Sequence, residues 1–359
     1  MFEFRQLAKQ VYRNLPGCWT LTSEVYQQRR FGGARGMAQL DIMTSIGGKD
    51  LDVLQVMLLS LAETHPDDNI RFWLFYLNAA PQQLTQIQAF CDTLPNVTLH
   101  PVHVQERNEF ALLSKLGNRP FGARFLWFVA HLYLPTDISR ILYLDPLDII
   151  VTDDLYPFLM QPLLGKSIAA CREAPSTPPI IAGPVTRRMT DTRIERISKG
   201  IINSGAIVLN LDKFRKNGVT VQNYIKTATY AHNELGLTVF GDQGLFSLNH
   251  GSDYVQAHDR YNFRFHDGRK GIKPAVVHFA GRIPKPFHLR LNAEQERQIL
   301  SYLDTNKLKA LRLNPHQTIK ADDLAYYRQW WDVCARTPVF QRIAPLAEEY
   351  AAKVLPSTS

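Results

Sequence analysis

Between residues 41 and 144 the sequence alternates short apolar runs with helix-length amphipathic stretches, and few architectures accommodate that alternation. Asp41-Ile-Met-Thr-Ser45, Arg71-Phe-Trp-Leu-Phe-Tyr76 and Val97-Thr-Leu-His-Pro-Val102 read as strands. Between them, Leu51 to Glu63 repeats its apolar residues at helical spacing (Leu51, Leu54, Met57, Leu58, Leu61), and Pro81 to Leu94 reads as a second helix. Phe121 to Leu134 reads as an apolar helix stopped by Pro135, and Arg140-Ile-Leu-Tyr-Leu144 as a strand apolar enough to be central. Strands alternating with helices of about a dozen residues imply βαβ units. The prediction is an α/β fold with a mostly parallel, Rossmann-like sheet flanked by helices. Residues 167–171, 206–209 and 276–279 are further strand candidates.

In open α/β sheets, ligands collect at the carboxyl ends of strands, so the end of the 140–144 strand is the place to look for chemistry. It delivers Asp145 and Asp148. Two carboxylates so close repel unless a cation sits between them, and a divalent ion with oxygen ligands resolves the conflict while holding a diphosphate. A plain turn around Pro146 would use the same residues. Val276-Val-His-Phe-Ala-Gly281, followed by Lys285, can supply a metal ligand in His278, a close backbone approach at Gly281 and a phosphate cation in Lys285. A packed histidine and a surface lysine would look alike here. Asn203 and Gly205, ahead of the 206–209 strand, suggest a bend where backbone meets a ligand or merely a turn. Asp242-Gln243 opens an apolar helix, where Asp242 serves as an N-cap or the pair binds a polyhydroxylated ligand.

Taken in order, these four pieces resemble glycosyltransferase family 8, the retaining enzymes of the GT-A fold. The family runs from a Leu-Tyr-Leu-Asp-x-Asp strand end through Asn-x-Gly and Asp-Gln to a His-Phe-x-Gly-x-x-Lys-Pro stretch. The segment Tyr327-Arg-Gln-Trp-Trp-Asp-Val-Cys-Ala-Arg-Thr-Pro338 is similar to the tail of many bacterial members, so the likeness covers roughly residues 40–342.

The resemblance implies a metal-dependent hexosyltransferase that moves a sugar, with retention, from a nucleotide diphosphate sugar, most simply a UDP-sugar. The acceptor is a hydroxyl of a glycan or lipid-linked saccharide. Asp145, Asp148 and His278 are the implied metal ligands, with Mn²⁺ or Mg²⁺ as the ion. Gly281 and Lys285 hold the diphosphate, Asn203 and Gly205 line the donor sugar, Asp242 accepts hydrogen bonds from its hydroxyls, and Gln243 sits beside the anomeric carbon. Three departures stand out. Leu147 makes the family's D-x-D a D-x-x-D, the base-contacting segment reads Gly47-Gly-Lys-Asp50, and Trp127 stands where the family often has an arginine, with Arg124 a turn earlier. The first two of these departures suit the alternative of a catalytically impaired member that binds a nucleotide or glycan.

The chain of 359 residues has room for more than this one unit. Residues 1–38 read as a helical and loop extension, 39–290 as the catalytic domain and 291–359 as a helical C-terminal segment. Residues 174–200 read as a long loop or lid. The four scattered cysteines argue against a disulfide framework or a zinc site. With no leader-like or membrane-spanning apolar run, the expectation is a cytoplasmic protein. Net charge is +8, and residues 261–312 carry eleven Lys/Arg against four acids. That block, with the aromatic and basic residues of 326–336, predicts a peripheral contact with an anionic membrane on its inner face. No nucleic-acid recognition motif accompanies the charge.

Overall fold

The computed structural model describes residues 36–118, 122–173, 202–234, 236, 241–251 and 253–355. The expected helix within residues 1–38 and the expected lid at 174–200 lie outside them, apart from residues 36–38, which form no helix. Seven strands form the central sheet: β1 (Gln39–Ile46), β2 (Asn69–Tyr76), β3 (Val97–His103), β4 (Arg140–Leu144), β6 (Ile168–Arg172), β7 (Ile202–Asn210) and β8 (Tyr254–Gln256). Their spatial order is β3-β2-β1-β4-β7-β6-β8. Strands β1 to β4 run parallel, β7 runs antiparallel to β4 and β6, and β8 is parallel to β6. Beside the sheet, β5 (Ile149–Val151) pairs antiparallel with β9 (Val276–His278).

The apolar run of β4 has a simple cause. Ile141 and Tyr143 enter one core cluster while Leu142 and Leu144 enter another, so both faces of the strand are covered. The helix α1 (Leu54–Thr64) packs on the second of these faces. The first is covered by α3 (Arg107–Leu116) and α4 (Val221–Asn233), whereas α2 (Pro81–Cys91) lies with α1. Residues 122–134 depart from the expected α-helix. They form a 3₁₀ segment, Gly122–Val129, before a single α turn, Ala130–Tyr133. A Cβ at Gly122 would press on the backbone of Phe110, and Ala123 and Phe125 to Val129 are all buried. A stretch buried on every face lacks the one-sided stripe that separates helix types in sequence.

A third cluster joins the C-terminal segment to the rest. Past α5 (Asp242–His250) come α6 (Ala293–Thr305), the hairpin β10 (Leu311–Asn314) and β11 (Gln317–Ile319), then α7 (Leu324–Cys334) and α8 (Phe340–Val354). Their apolar residues pack with Val53, Val56, Val277 and Phe279, directly behind β9. The hairpin interrupts what the sequence presents as wholly helical.

This packing corrects the expected use of the Trp pair. Trp330 is fully buried, and Trp331 donates its Nε1–H to the carbonyl of Leu289 at 2.8 Å. They are core residues of α7, unavailable to a membrane surface. The basic block is also less of a basic surface than its charge suggests. Seven of its eleven cations contact carboxylates, among them Arg264 with Glu173, Arg269 with Asp259, Lys273 with Asp153 and Arg290 with Glu348. Sequence-local counting missed acids brought in from elsewhere in the chain. Among the described residues no helix is long and apolar enough to cross a membrane, and Cys91, Cys171 and Cys334 are buried free thiols.

Candidate active site

Strand β4 ends inside a cavity of about 620 Å³, a size suited to a small-molecule ligand. Asp145, Asp148, Asn203, Asp242, Gln243, His278, Gly281 and Lys285 all line it. The fold therefore gathers eight of the nine residues picked from sequence around one space. Gly205 is the exception, and its position explains itself. It lies within β7 rather than ahead of a strand, and a Cβ there would overlap the ring of His278. Its missing side chain makes room for the histidine, while its carbonyl accepts from the Asp145 backbone N–H at 3.0 Å.

The extra residue in D-x-x-D is absorbed by the turn. Leu147 tucks its side chain against two core clusters, so both carboxylates stay on the cavity side. The β5–β9 ladder sets Ile149 opposite His278, and the Asp148 carbonyl accepts from the Phe279 N–H at 2.8 Å. As a result His278 Nε2 lies 3.5 Å from Asp145 Oδ2 and 3.6 Å from Asp148 Oδ2. The three donor atoms lie within 4.8 Å of one another. Two carboxylates and one imidazole suit Mn²⁺ well, and the imidazole excludes none of the first-row divalent ions. The residues present fit a bound divalent cation.

Electrostatics differ sharply between the two aspartates. Burial, then repulsion from Asp148, pushes the Asp145 carboxyl up to about 6. Burial would raise Asp148 too, but the Lys285 ammonium and His278 outweigh it and hold Asp148 well below the usual carboxylate range. Lys285 contacts Asp148 directly, and although burial would lower its ammonium, Asp148 keeps it above its ordinary value. The loop carrying Lys285 is fastened from behind. Tyr327 of α7 donates its hydroxyl to the Pro284 carbonyl at 2.6 Å, and Trp331 holds Leu289 as described. Gly281 takes φ +103°, a left-handed conformation in which glycine is at ease.

Asp242, which also lines the cavity, begins α5 and its Oδ2 accepts the Trp127 Nε1–H at 3.1 Å. Trp127, which departs from the resembled pattern, therefore holds Asp242 by its indole N–H. Arg124 lines the same cavity, and its buried Nε has no hydrogen-bond partner among the described residues. Lys49 and Asp50 of the altered base-contact segment also line it, and Arg342 lies 3.5 Å from Asp50.

Two residues of this site carried no sequence signal. Glu173 accepts from Asn203 Nδ2 at 2.9 Å and from Gln243 Nε2 at 3.2 Å, and is paired with the buried Arg264. Asn262, fully buried, sits between His278 and Asn203. Neither belongs to a recognisable motif; only the register shift between β6 and β7 and the turn before β9 bring them in.

Comparison with solved structures gives the fold an independent identification. The galactosyltransferase LgtC, in complex with donor and acceptor sugar analogues, superposes with a TM-score of 0.50 at 17% identity, over 70% of this chain and 90% of that one. The bifunctional glycosyltransferase WbbM gives 0.58 at 14% identity, over 86% of this chain and 52% of that one. GlyE of Streptococcus pneumoniae TIGR4 gives 0.52 at 17% identity, over 90% of this chain and 66% of that one. At such identities the likeness speaks for the GT-A fold alone. Comparison with curated proteins by sequence returns no match. The family model for glycosyl transferase family 8, however, matches residues 22–289, three-quarters of the chain and all nine site residues picked from sequence. The chain belongs to glycosyl transferase family 8 and is a glycosyltransferase.

Proposed function

We propose that the protein is a metal-dependent, retaining hexosyltransferase that uses a nucleotide diphosphate sugar, most simply a UDP-sugar, and delivers the hexose to a saccharide hydroxyl. The observation that carries this reading is the convergence of Asp145, Asp148 and His278 on one cavity that Asp242 and Gln243 also line. The first group suits a diphosphate and the second a polyhydroxylated ring. The convergence survives the D-x-x-D insertion, which favours an active enzyme over the binding-only alternative.

Asp145, Asp148 and His278 would hold the cation, Mn²⁺ or Mg²⁺, which when bound offsets charge on the departing diphosphate. Lys285 adds a fixed positive charge on that side, and Arg124, whose buried Nε is unpartnered among the described residues, adds a second. Gly281 lets the backbone approach the phosphates. Asp242, oriented by Trp127, accepts hydrogen bonds from the sugar hydroxyls, while Asn203 and Gln243 face the ring.

The reaction breaks the bond between the anomeric carbon and the diphosphate oxygen through an oxocarbenium-like state. It forms a bond from that carbon to the acceptor oxygen. Gln243 is a poor nucleophile because it is an amide, so the acceptor attacks on the face the diphosphate leaves. Its proton passes to the leaving phosphate oxygen. The products are a glycoside of unchanged anomeric configuration and a nucleoside diphosphate. A covalent sugar adduct on Asp242 would replace this route with a double displacement.

The acceptor reading rests on composition. If the enzyme works at an anionic membrane on lipid-linked saccharide, the exposed Arg282, Lys307, Lys309 and Arg312 are the cations for it, not the Trp pair. A thermal-shift screen of nucleotide sugars with Mn²⁺ tests the donor reading, because a ligand that binds only the native state raises its melting temperature. Stabilisation by one nucleotide sugar in the presence of Mn²⁺, absent with EDTA, is expected. Equal stabilisation in EDTA would overturn the metal dependence.

A further inference from the structure

The two ring nitrogens of His278 meet different surroundings, and the difference can be traced to a single amide. Nε2 faces the two aspartates, while Nδ1 lies 2.8 Å from the Asn262 side-chain oxygen. Which end of the Asn262 amide faces the ring is dictated by its other neighbour. That neighbour is Asn203, whose Oδ1 lies 2.8 Å and whose backbone carbonyl lies 3.4 Å from Asn262 Nδ2. A backbone carbonyl can only accept. Asn203 Oδ1 is itself identified as oxygen because it accepts from the Gly205 N–H at 3.0 Å while its Nδ2 donates to Glu173. Asn262 must therefore turn its NH₂ to Asn203 and its oxygen to His278. An amide oxygen only accepts, so Nδ1 carries a proton, and in the neutral ring Nε2 keeps its lone pair toward Asp145 and Asp148.

We propose that Asn262 is a positioning residue that sets the tautomer of His278 and the amide orientation of Asn203 together. One fully buried side chain thereby links the metal corner to the donor-sugar wall. The linkage continues, since Glu173 Oε2 accepts from both Asn203 and Gln243, and Gln243 Oε1 accepts from the Ser204 N–H at 3.4 Å. Metal-ligating histidines commonly have such an orienting partner, and losing it costs about 10–100-fold in metal affinity. Here the partner also holds a group on the sugar side. The proposal rests on the reading of His278 as a metal ligand, but its tautomer claim does not.

The test compares Asn262→Leu, which has similar volume and no hydrogen bonds, with Asn262→Asp, which keeps the acceptor and loses the donor. On EDTA-treated protein, ¹⁵N chemical shifts of the His278 ring report the tautomer, and side-chain amide resonances report Asn203. Calorimetric titration with Mn²⁺ alone then gives affinity. Asn262→Leu is expected to release the ring from a single tautomer and to weaken Mn²⁺ about 10–100-fold. Asn262→Asp is expected to keep the wild-type tautomer and bind Mn²⁺ within a few-fold of wild type, while displacing the Asn203 amide signals. A folded Asn262→Leu with wild-type ring shifts and Mn²⁺ affinity would overturn the proposal. Should the leucine variant not fold, unchanged Asn203 signals in Asn262→Asp would do so instead. A wild-type protein that binds no Mn²⁺ would remove the metal reading and leave the tautomer result to be judged by itself.

Discussion

Among the described residues are two clusters of one histidine and two aspartates, and of these one suits a metal better than the other. In each, the donor atoms lie within 4.8 Å of one another: Asp145, Asp148 and His278 at the cavity, and His65, Asp68 and Asp154 beneath α1. Residue type and spacing do not separate them; hydrogen bonding does. His65 has its Nδ1 against the Leu61 carbonyl at 3.1 Å and the Thr64 hydroxyl at 3.0 Å, and its Nε2 accepts the Leu155 N–H at 3.0 Å. Both nitrogens are committed, so the ring has no lone pair left for an ion. Asp68 accepts from the Ala38 N–H and Asp154 from the Tyr156 N–H, but the carboxylates do not separate the clusters, since Asp148 is paired with Lys285 and Asp145 accepts from the Tyr143 hydroxyl. At His278 the same two-ended logic leaves the Nε2 of the neutral ring without a backbone partner and aimed between two carboxylates. The first cluster is a staple between loops, and the second is the proposed ligand set.

The largest effect expected is at the cavity. His278→Ala should lower metal-dependent transfer by about 1,000-fold or more, since the ion is asked to supply several kcal/mol of charge stabilisation. Circular dichroism should show the fold retained. Gly205→Ala sharpens the point without touching a ligand. Its new Cβ must displace the His278 ring, and Mn²⁺ affinity by calorimetry should fall by roughly 10–100-fold.

His65→Leu should behave in the opposite way. It strands the Leu155 N–H, so denaturant unfolding should show a loss of about 1–3 kcal/mol with turnover per folded molecule unchanged. Protons give a subtler discrimination. Asp145, pushed up to about 6, is protonated below that pH and must lose its proton to ligate. Mn²⁺ affinity should therefore be level above about pH 7 and weaken by about tenfold per unit below about 6. A flat profile from pH 5 to 7.5 would argue that Asp145 is not a ligand. The smallest effect concerns the support of Lys285. Tyr327→Phe removes one buried hydrogen bond to Pro284, worth about 1 kcal/mol. It should raise the donor KM a few-fold while kcat changes little.

The contrast between the clusters also marks where sequence reading reaches its limit. Asp145, Asp148, His278 and Lys285 were legible because strand ends in an α/β sheet converge on one side, so chemistry-bearing residues at those ends must meet. The parallel strands were legible from apolar runs covered on both faces. Asn262 and Glu173 were not, because a hydrogen-bond partner inside a turn or at a strand end leaves no periodicity and no motif. The role of Gly205 was misplaced for a related reason: a glycine can serve a ligand or a neighbouring side chain, and only coordinates tell them apart. Charge counting failed where the partner acids lay outside the window, as with Arg264 and Glu173 or Arg290 and Glu348. The D-x-x-D insertion, which in sequence threatens the site, still leaves Asp145, Asp148 and His278 converging, with the half-buried Leu147 packed against two core clusters at the cavity's edge.

The central claim is that a divalent ion binds at His278 and not at His65, and calorimetric Mn²⁺ titration of EDTA-treated wild type, His278→Ala and His65→Leu addresses it directly. One site is expected in the wild type, retained in His65→Leu and lost in His278→Ala. Binding that persists in His278→Ala, or disappears in a folded His65→Leu, would contradict the account.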